Sequence, residues 1–283
     1  MMHSPAISTR SVFHKTGRVL GTGRAEIEMK VKVELPEPVE QNEQNSRYAR
    51  KLQETLRLDG SPVAVALIDE PPMWTGYLKR RSTPCMMIQM ARWGSVFYCS
   101  GERIICGGRA HLGMGESLIR NLDCFLVRKE KLFGSEAAAR TMLNKAKALA
   151  PQKSAYVVFS PLELAHLTPD VVIIIGTPAQ ISRIIFLNAF DTGEVEAIHG
   201  EPLCSGAIAA PITTARIGIS FLDVSCRIFG KYKPEEMVVG IPYQRLPCII
   251  DSIECSTAGI AKPARLLRLV GNVLRRQVPD GSR

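Results

Sequence analysis

Short apolar runs alternate with helix-like segments through the middle of the chain. Apolar runs with the length of buried strands lie at 62–68, 156–159 and 169–175. Helix-like segments, marked by apolar spacing or by a capping residue or Pro at the start, lie at 45–58, 84–91, 136–149, 178–190 and 243–254. Several strands are joined by turns too short for a crossover helix. We therefore predict an α+β or α/β fold, in which helices pack on a mixed sheet.

Two stretches of the chain repeat the same order of signals. Residues 60–115 and 170–215 each contain a strand, a Pro, a helix-like run, a Gly turn and a second strand. Near its end the first stretch contains Cys106 and the second contains Cys204, and each of these cysteines lies close to a glycine. This order predicts two related halves within one domain over residues 45–260. Such a repeat would bring two thiols into related positions near one crevice.

The basic charge is concentrated in the two tails. The formal net charge is +9, yet residues 34–260 contain 24 basic and 24 acidic side chains, so nucleic-acid binding is not favoured. Residues 1–44 are predicted to form a disordered basic extension, with Met29 as an alternative start to Met1. Residues 261–283 predict a basic amphipathic helix and tail, which would pack on the domain or contact an acidic partner or a membrane surface.

The eight cysteines, together with the lack of a secretory signal, favour a reducing cytoplasm over a disulfide framework. No window approaches the roughly 18 apolar residues of a membrane span, so we expect no transmembrane segment. Four cysteines fall in turns or at a helix start and are the candidate metal ligands: Cys85, Cys106, Cys204 and Cys226. Because the sequence contains no C-x₂-C pair, these ligands could meet only through the fold. The others are predicted to be small buried hydrophobic residues: Cys99, Cys124, Cys248 and Cys255.

Glycines and a helix start supply candidate cofactor contacts. Gly107 and Gly108 would let the backbone approach a bound group closely and offer it N–H donors. Pro178 and Gln180 begin a helix after the most strand-like run, where α/β proteins commonly place a ligand crevice. A plain capped helix start is the competing interpretation of this second pair.

Histidines lie near two of the candidate thiols. His111 and His199 could complete a Cys/His zinc site or act as the base for a nucleophilic cysteine, although isolated histidines near turns usually do neither. Cys85 is the most reactive candidate, because a position at a helix N-terminus lowers a thiol pKa.

Short motifs occur in a fixed order over residues 48–260. They are Ser61-Pro62-Val63-Ala64-Val65, the run 85–91, Cys106-Gly107-Gly108, Pro161-Leu162, Pro169-Asp170-Val171-Val172, Thr177-Pro178-Ala179-Gln180, Cys204, the run 227–230 and the run 235–242. In this order and spacing the chain resembles a bacterial and archaeal family known as domain of unknown function one hundred and sixty-nine. The resemblance implies oxygen-sensitive thiol or iron–sulfur chemistry, because the family is common in anaerobes. Many relatives have a Gly-rich turn where this chain has Asp223-Val224-Ser225-Cys226, so the backbone of that turn is expected to differ.

These observations favour a cytoplasmic protein that binds a cofactor or metal centre through the four turn cysteines. An iron–sulfur cluster for redox or ligand sensing is the leading form, since four cysteines are its usual ligand set. A cysteine-dependent enzyme and a non-catalytic small-ligand module stay open as alternatives. Shared ligation predicts sulfurs within about 4 Å of a common point. A nucleophile requires a His nitrogen beside one sulfur, and a binding module requires only an apolar pocket.

Overall fold

The computed structural model describes residues 38–151, 154–195 and 197–256. The predicted extension before residue 38 and the predicted helix over residues 261–283 lie outside the described residues. The strands are β1 (Val63–Ile68), β2 (Gly76–Tyr77), β3 (Phe97–Ser100), β4 (Tyr156–Pro161), β5 (Val171–Gly176), β6 (Ile198–His199), β7 (Gly218–Ser220) and β8 (Met237–Pro242). The α-helices are α1 (Pro38–Leu56), α2 (Pro84–Arg92), α3 (Gly108–His111), α4 (Leu122–Arg128), α5 (Glu136–Lys145), α6 (Pro178–Asn188), α7 (Ala210–Thr214), α8 (Val224–Gly230) and α9 (Leu246–Cys255).

All of the described strands form one mixed sheet in the order β2-β3-β4-β1-β5-β8-β7-β6. The pairs β2/β3 and β6/β7 are parallel, and the other neighbours are antiparallel. The predicted class, a mixed sheet with packed helices, is therefore confirmed. No helix in the described part of the chain is both long and apolar enough to cross a membrane.

The sheet is built from two halves with the same topology. β1–β4 occupy one side and β5–β8 the other, and the halves meet where β1 and β5 pair antiparallel. Both β4 and β8 end in a proline that leads into a single 3₁₀ turn, Leu162–Leu164 and Tyr243–Arg245 respectively. The repeat thus extends further than the predicted stretches 60–115 and 170–215, because β4 and β8 complete the two halves.

Each central strand alternates its side chains between two cores. Val63 and Val65 of β1 face one core, and Ala64 faces the other. α1, α6 and α9 cover the second core, whereas α2, α8 and the turn at Cys204 pack on the first. Successive side chains of a strand point to opposite faces of the sheet, so a strand covered on both faces contributes to both cores. The face covered by α2 and α8 carries the candidate site.

A π-helical turn, Cys204–Ala209, leads directly into α7. Pro211 is the second residue of α7. A Cβ at Gly240 of β8 would collide with the carbonyl oxygen of Ala207. Glycine at this strand position therefore lets the π-helical turn rest against the sheet.

The first helix, α1, begins at Pro38 rather than at the predicted Asn45, so the predicted N-terminal extension over residues 1–44 reached too far. Asn45 is fully buried, and its side-chain amide donates to the carbonyl of Ala165 at 2.9 Å. Its Oδ1 accepts a hydrogen bond from the Tyr243 hydroxyl at 2.8 Å. These contacts fix α1 against the 3₁₀ turns that end β4 and β8.

Candidate functional site

The four turn cysteines line one cavity of about 330 Å³, on the α2/α8 face of the sheet. Cys85 lies in the first turn of α2 and Cys226 in the first turn of α8. Cys204 begins the π-helical turn, and Cys106 lies just before α3. We refer to these four residues as the cysteine cluster.

Local capping positions two of these thiols. The Thr83 side chain caps α2, and its Oγ1 lies 2.9 Å from the Cys85 sulfur. The Asp223 Oδ1 caps α8 by accepting the backbone N–H of Cys226 at 2.7 Å. A Ser, Thr or Asp before a helix satisfies free N–H groups of the first turn, so the cap also fixes where the cysteine points.

The repeat relates the cysteines in a different way from that predicted. Cys85 and Cys204 both start the helical segment between the second and third strands of their halves, and Cys106 and Cys226 both follow the third strand. The repeat predicted from the sequence instead matched Cys106 with Cys204. That match was wrong, because it counted Gly signals and did not follow strand order.

Hydrogen bonding joins the four thiols in two pairs, Cys85 with Cys226 and Cys106 with Cys204. Each pair joins one half of the fold to the other. The repeat converts one pair into the other, since it exchanges Cys85 with Cys204 and Cys106 with Cys226. The thiols thus form a two-fold arrangement at the junction between the halves.

This pairing shifts the pKa values of the thiols in opposite directions. The Cys226 thiol lowers the pKa of Cys85 by hydrogen bonding to its sulfur, and Thr83 adds to this effect. The same hydrogen bond raises the pKa of Cys226, and burial raises it further. Cys204 has a raised pKa for the corresponding reasons, with Cys106 as its partner. Cys85 therefore ionises more readily than Cys204 or Cys226.

The sulfurs do not form a preformed metal site. Within the described residues, no group of three or more His, Cys, Asp or Glu side chains is arranged to hold a metal ion. The expectation that three or four sulfurs surround a common point is therefore not met in this state. All eight cysteines are free of disulfide bonds.

Three carboxyl groups that sequence reasoning missed line the same cavity: Glu130, Glu201 and Asp223. Burial raises the pKa of Glu201 to about 7. The charge of Asp223 opposes ionisation of Glu130 and Glu201 and of three thiols of the cluster. Aligning Thr83-Pro84-Cys85 with the Glu201-Pro202 step before Cys204 could have revealed Glu201. Glu130 lies in a polar stretch and gives no comparable signal.

Gly108 is needed for the close approach of Cys204. A Cβ at this position would lie 2.7 Å from the Cys204 sulfur and 2.8 Å from Cγ of Pro84. Its backbone N–H donates to the Cys106 sulfur at 3.4 Å. Gly107 also lines the cavity, but a Cβ there would meet only ordinary contacts. Of the two predicted glycines, Gly108 is the one that sterics require.

Gly108→Ala is expected to lower the free energy of unfolding by about 1–3 kcal/mol, the usual cost of an extra methyl group in a packed interior. Urea unfolding followed by circular dichroism measures the change. Gly134→Ala is the matched control, because a Cβ there meets nothing within 4 Å. Equal stabilities of the two variants would contradict the proposed contact with Cys204.

The remaining predicted residues have structural contacts. Gln180 completes a capping box with Thr177 at the start of α6, and its amide donates to the carbonyls of Leu56 and Arg57 at 2.9 and 3.0 Å. Pro178 occupies the first turn of the same helix. Neither residue lines the cavity of the cysteine cluster, so the plain helix-start interpretation accounts for both.

The histidines do not join the described site. His111 is buried, and its Nδ1 lies 3.0 Å from the carbonyl oxygen of Lys147. Burial lowers its pKa. No histidine occurs among the described residues that line the cavity, and the side chain of His199 lies outside the described residues.

The prediction of four further buried cysteines holds for one of them. Cys99 is fully buried in β3, and burial raises its pKa to about 12. Cys124 and Cys248 are half-buried, and Cys255 is exposed at the end of α9. Their apolar sequence neighbours belong to amphipathic helices, whose cysteines fall near or on the solvent side.

Comparison with known proteins places the cysteine cluster within a shared region. The family model described as uncharacterised ArCR, domain of unknown function 169, matches residues 51–252, which include all four cysteines. An uncharacterized protein of Methanocaldococcus jannaschii is 29% identical over 218 residues, covering 73% of this chain and 92% of that protein. No solved structure matches the chain.

Proposed function

The chain belongs to the domain of unknown function 169 family, and we propose that it binds a thiophilic metal centre through the cysteine cluster. The observation that carries this proposal is the convergence of the four turn thiols on one cavity at the junction of the two halves. An iron–sulfur cluster is the first form to test, because four cysteines are its usual ligand set.

The charge of the site supports a bound cation. The ionisable groups that line the cavity among the described residues are thiols and carboxyls, without a Lys, Arg or His. Hydrogen bonding to the partner thiol and burial raise the pKa of Cys204 and of Cys226, which favours the protonated form of both thiols. A metal would displace these protons, because the ligand is the thiolate. The paired thiols are thus the state expected of the cluster before it is loaded.

The surroundings also suit a metal–sulfur centre. The backbone N–H of Gly108 points at the Cys106 sulfur, and hydrogen bonds of this type tune the reduction potential of such centres. Apolar side chains, including Phe125 and Phe229, line much of the cavity. The free state of all eight cysteines supports a reducing cytoplasm as the location, and redox or ligand sensing is the role that we propose for the centre.

Anaerobic purification followed by iron, sulfide and trace-metal analysis tests the proposal. We expect metal in a fixed ratio to protein, with the broad visible absorption of an iron–sulfur cluster if iron and sulfide are both present. Protein that is colourless and metal-free, and that stays so after anaerobic reconstitution with iron and sulfide or incubation with zinc, would rule the proposal out.

A reactive thiol at Cys85 is the second candidate function, favoured by its lowered pKa. In metal-free protein, Cys226→Ala is expected to move the alkylation midpoint of Cys85 to higher pH, because the hydrogen bond from the Cys226 thiol is lost. Peptide mass spectrometry after iodoacetamide treatment across a pH series measures this midpoint. Cys255→Ala, at the exposed end of α9, is the control. An unchanged midpoint in Cys226→Ala would contradict the pairing.

A further inference from the structure

The cavity extends beyond the cysteine cluster along an apolar wall. This wall comes from α4 and α5, which contribute Leu122, Phe125, Leu126, Met142 and Leu143. The second half of the fold passes from α8 to β8 without a corresponding helix pair. The first half therefore encloses a volume that the repeat alone would leave open. The whole cavity, at about 330 Å³, is large enough for a small organic molecule.

One carboxyl group on the cavity wall is incompletely satisfied. Oε1 of Glu130 accepts a hydrogen bond from the Ser225 hydroxyl. Its other oxygen, Oε2, is buried and has no hydrogen-bond partner among the described residues. A buried acceptor without a donor is costly, and a group that enters the cavity could supply the missing hydrogen bond.

The other carboxyl groups have their donors already. Oε1 of Glu201 accepts the backbone N–H groups of Phe221 and Leu222 at 2.5 and 3.0 Å, and the Ser220 hydroxyl contacts both of its oxygens. Asp223 caps α8. Of these three carboxyl groups, Glu130 is the one with a buried oxygen that lacks a hydrogen-bond donor among the described residues.

We propose that the cavity binds a small organic cation, with an ammonium group at Glu130 and an apolar body against α4 and α5. The ammonium group would donate a hydrogen bond to the unpaired oxygen of Glu130, and the apolar body would pack against the apolar side chains of α4 and α5. The carboxyl groups and thiols without a balancing Lys, Arg or His disfavour an anionic ligand. This inference goes beyond the metal centre, because Glu130 and the apolar wall do not depend on a metal in the cysteine cluster.

Isothermal titration calorimetry on the full chain, with three probes that share a phenyl ring, tests the inference. Phenethylamine is the cation, phenethyl alcohol the neutral analogue and phenylacetate the anion. We expect phenethylamine to bind about tenfold more tightly than the alcohol, the ratio typical of one hydrogen bond to a charged group. Phenylacetate is expected not to bind.

A variant of Glu130 tests whether this side chain causes the preference for the cationic probe. Glu130→Gln is expected to remove the preference for phenethylamine while leaving the affinity for phenethyl alcohol unchanged. Glu254→Gln is the control, since Glu254 lies exposed on α9. The comparison of the three probes is made on the wild-type chain and so does not depend on the folding of either variant.

Equal affinities for the amine and the alcohol, tighter binding of phenylacetate, or no binding of any probe would overturn the inference. The titrations are run on metal-loaded protein and on protein treated with a chelator. Charge-selective binding to metal-free protein would support this inference even if the metal centre proved wrong. A protein that carries metal but binds the three probes without charge selectivity would support the metal centre and overturn the organic-cation site.

Discussion

Cys106→Ala and Cys204→Ala are each expected to abolish metal binding, reducing the metal content from one centre per chain to background. A centre held by four thiolates loses a ligand and gains a void when one sulfur is removed, and these two residues form one hydrogen-bonded pair. Elemental analysis of anaerobically purified protein, normalised to protein concentration, measures the loss.

Two other cysteines provide controls for these variants. Cys99→Ala removes a fully buried sulfur from β3, and Cys255→Ala removes an exposed one from α9. Both variants are expected to keep the full metal content, because neither residue lines the cavity. Loss of metal in Cys99→Ala to the same extent as in Cys204→Ala would mean that general destabilisation, and not ligation, explains the result.

Glu236→Leu is expected to destabilise the fold by about 3–5 kcal/mol, because it leaves the charge of Arg92 buried without an anionic partner. The side chains of Arg92 and Glu236 are 3% and 5% exposed, and Nη1 lies 2.8 Å from Oε1. Arg92 Nε also donates to the carbonyl of Asp59 at 2.6 Å, and the other Glu236 oxygen accepts the N–H of Lys233 at 2.7 Å. The pair thus ties the end of α2 to the start of β8.

Urea unfolding of single and double variants measures the effect. The double variant Arg92→Met/Glu236→Leu is expected to recover much of the lost stability, since an apolar pair of similar volume replaces the ion pair without an orphan charge. Glu254→Leu breaks the exposed pair with Lys51 and is expected to cost less than about 1 kcal/mol. A cost for Glu236→Leu no greater than that control would contradict the role given to the buried pair.

Local signals identified the main elements and the cysteines of the site. Pro84 and Ser135 are strong helix-start signals, and both helices begin where these residues predict. The apolar runs of β1, β4 and β5 were similarly clear. The four thiols were identified as candidate ligands because each lies at a turn or a helix start, outside the apolar patterns of the strands and helices.

The sequence did not reveal how the thiols pair. Pairing depends on β1 meeting β5 at the centre of the sheet, which is a contact between residues about a hundred positions apart. The π-helical turn at Cys204 was missed for a similar reason, since Gly240 on a distant strand makes room for it. Glu130 was missed because its role arises from burial beside Ser225, which no neighbouring residue indicates.

X-ray absorption spectroscopy at the edge of the bound metal is the most direct test of the cysteine cluster as a metal centre. Four cysteines as ligands predict a first shell made of sulfur alone, at about 2.3 Å if the metal is zinc. The same spectrum in Cys106→Ala is expected to vanish with the metal. A first shell of nitrogen and oxygen only, or a sulfur shell unchanged in Cys106→Ala, would contradict ligation by the cluster.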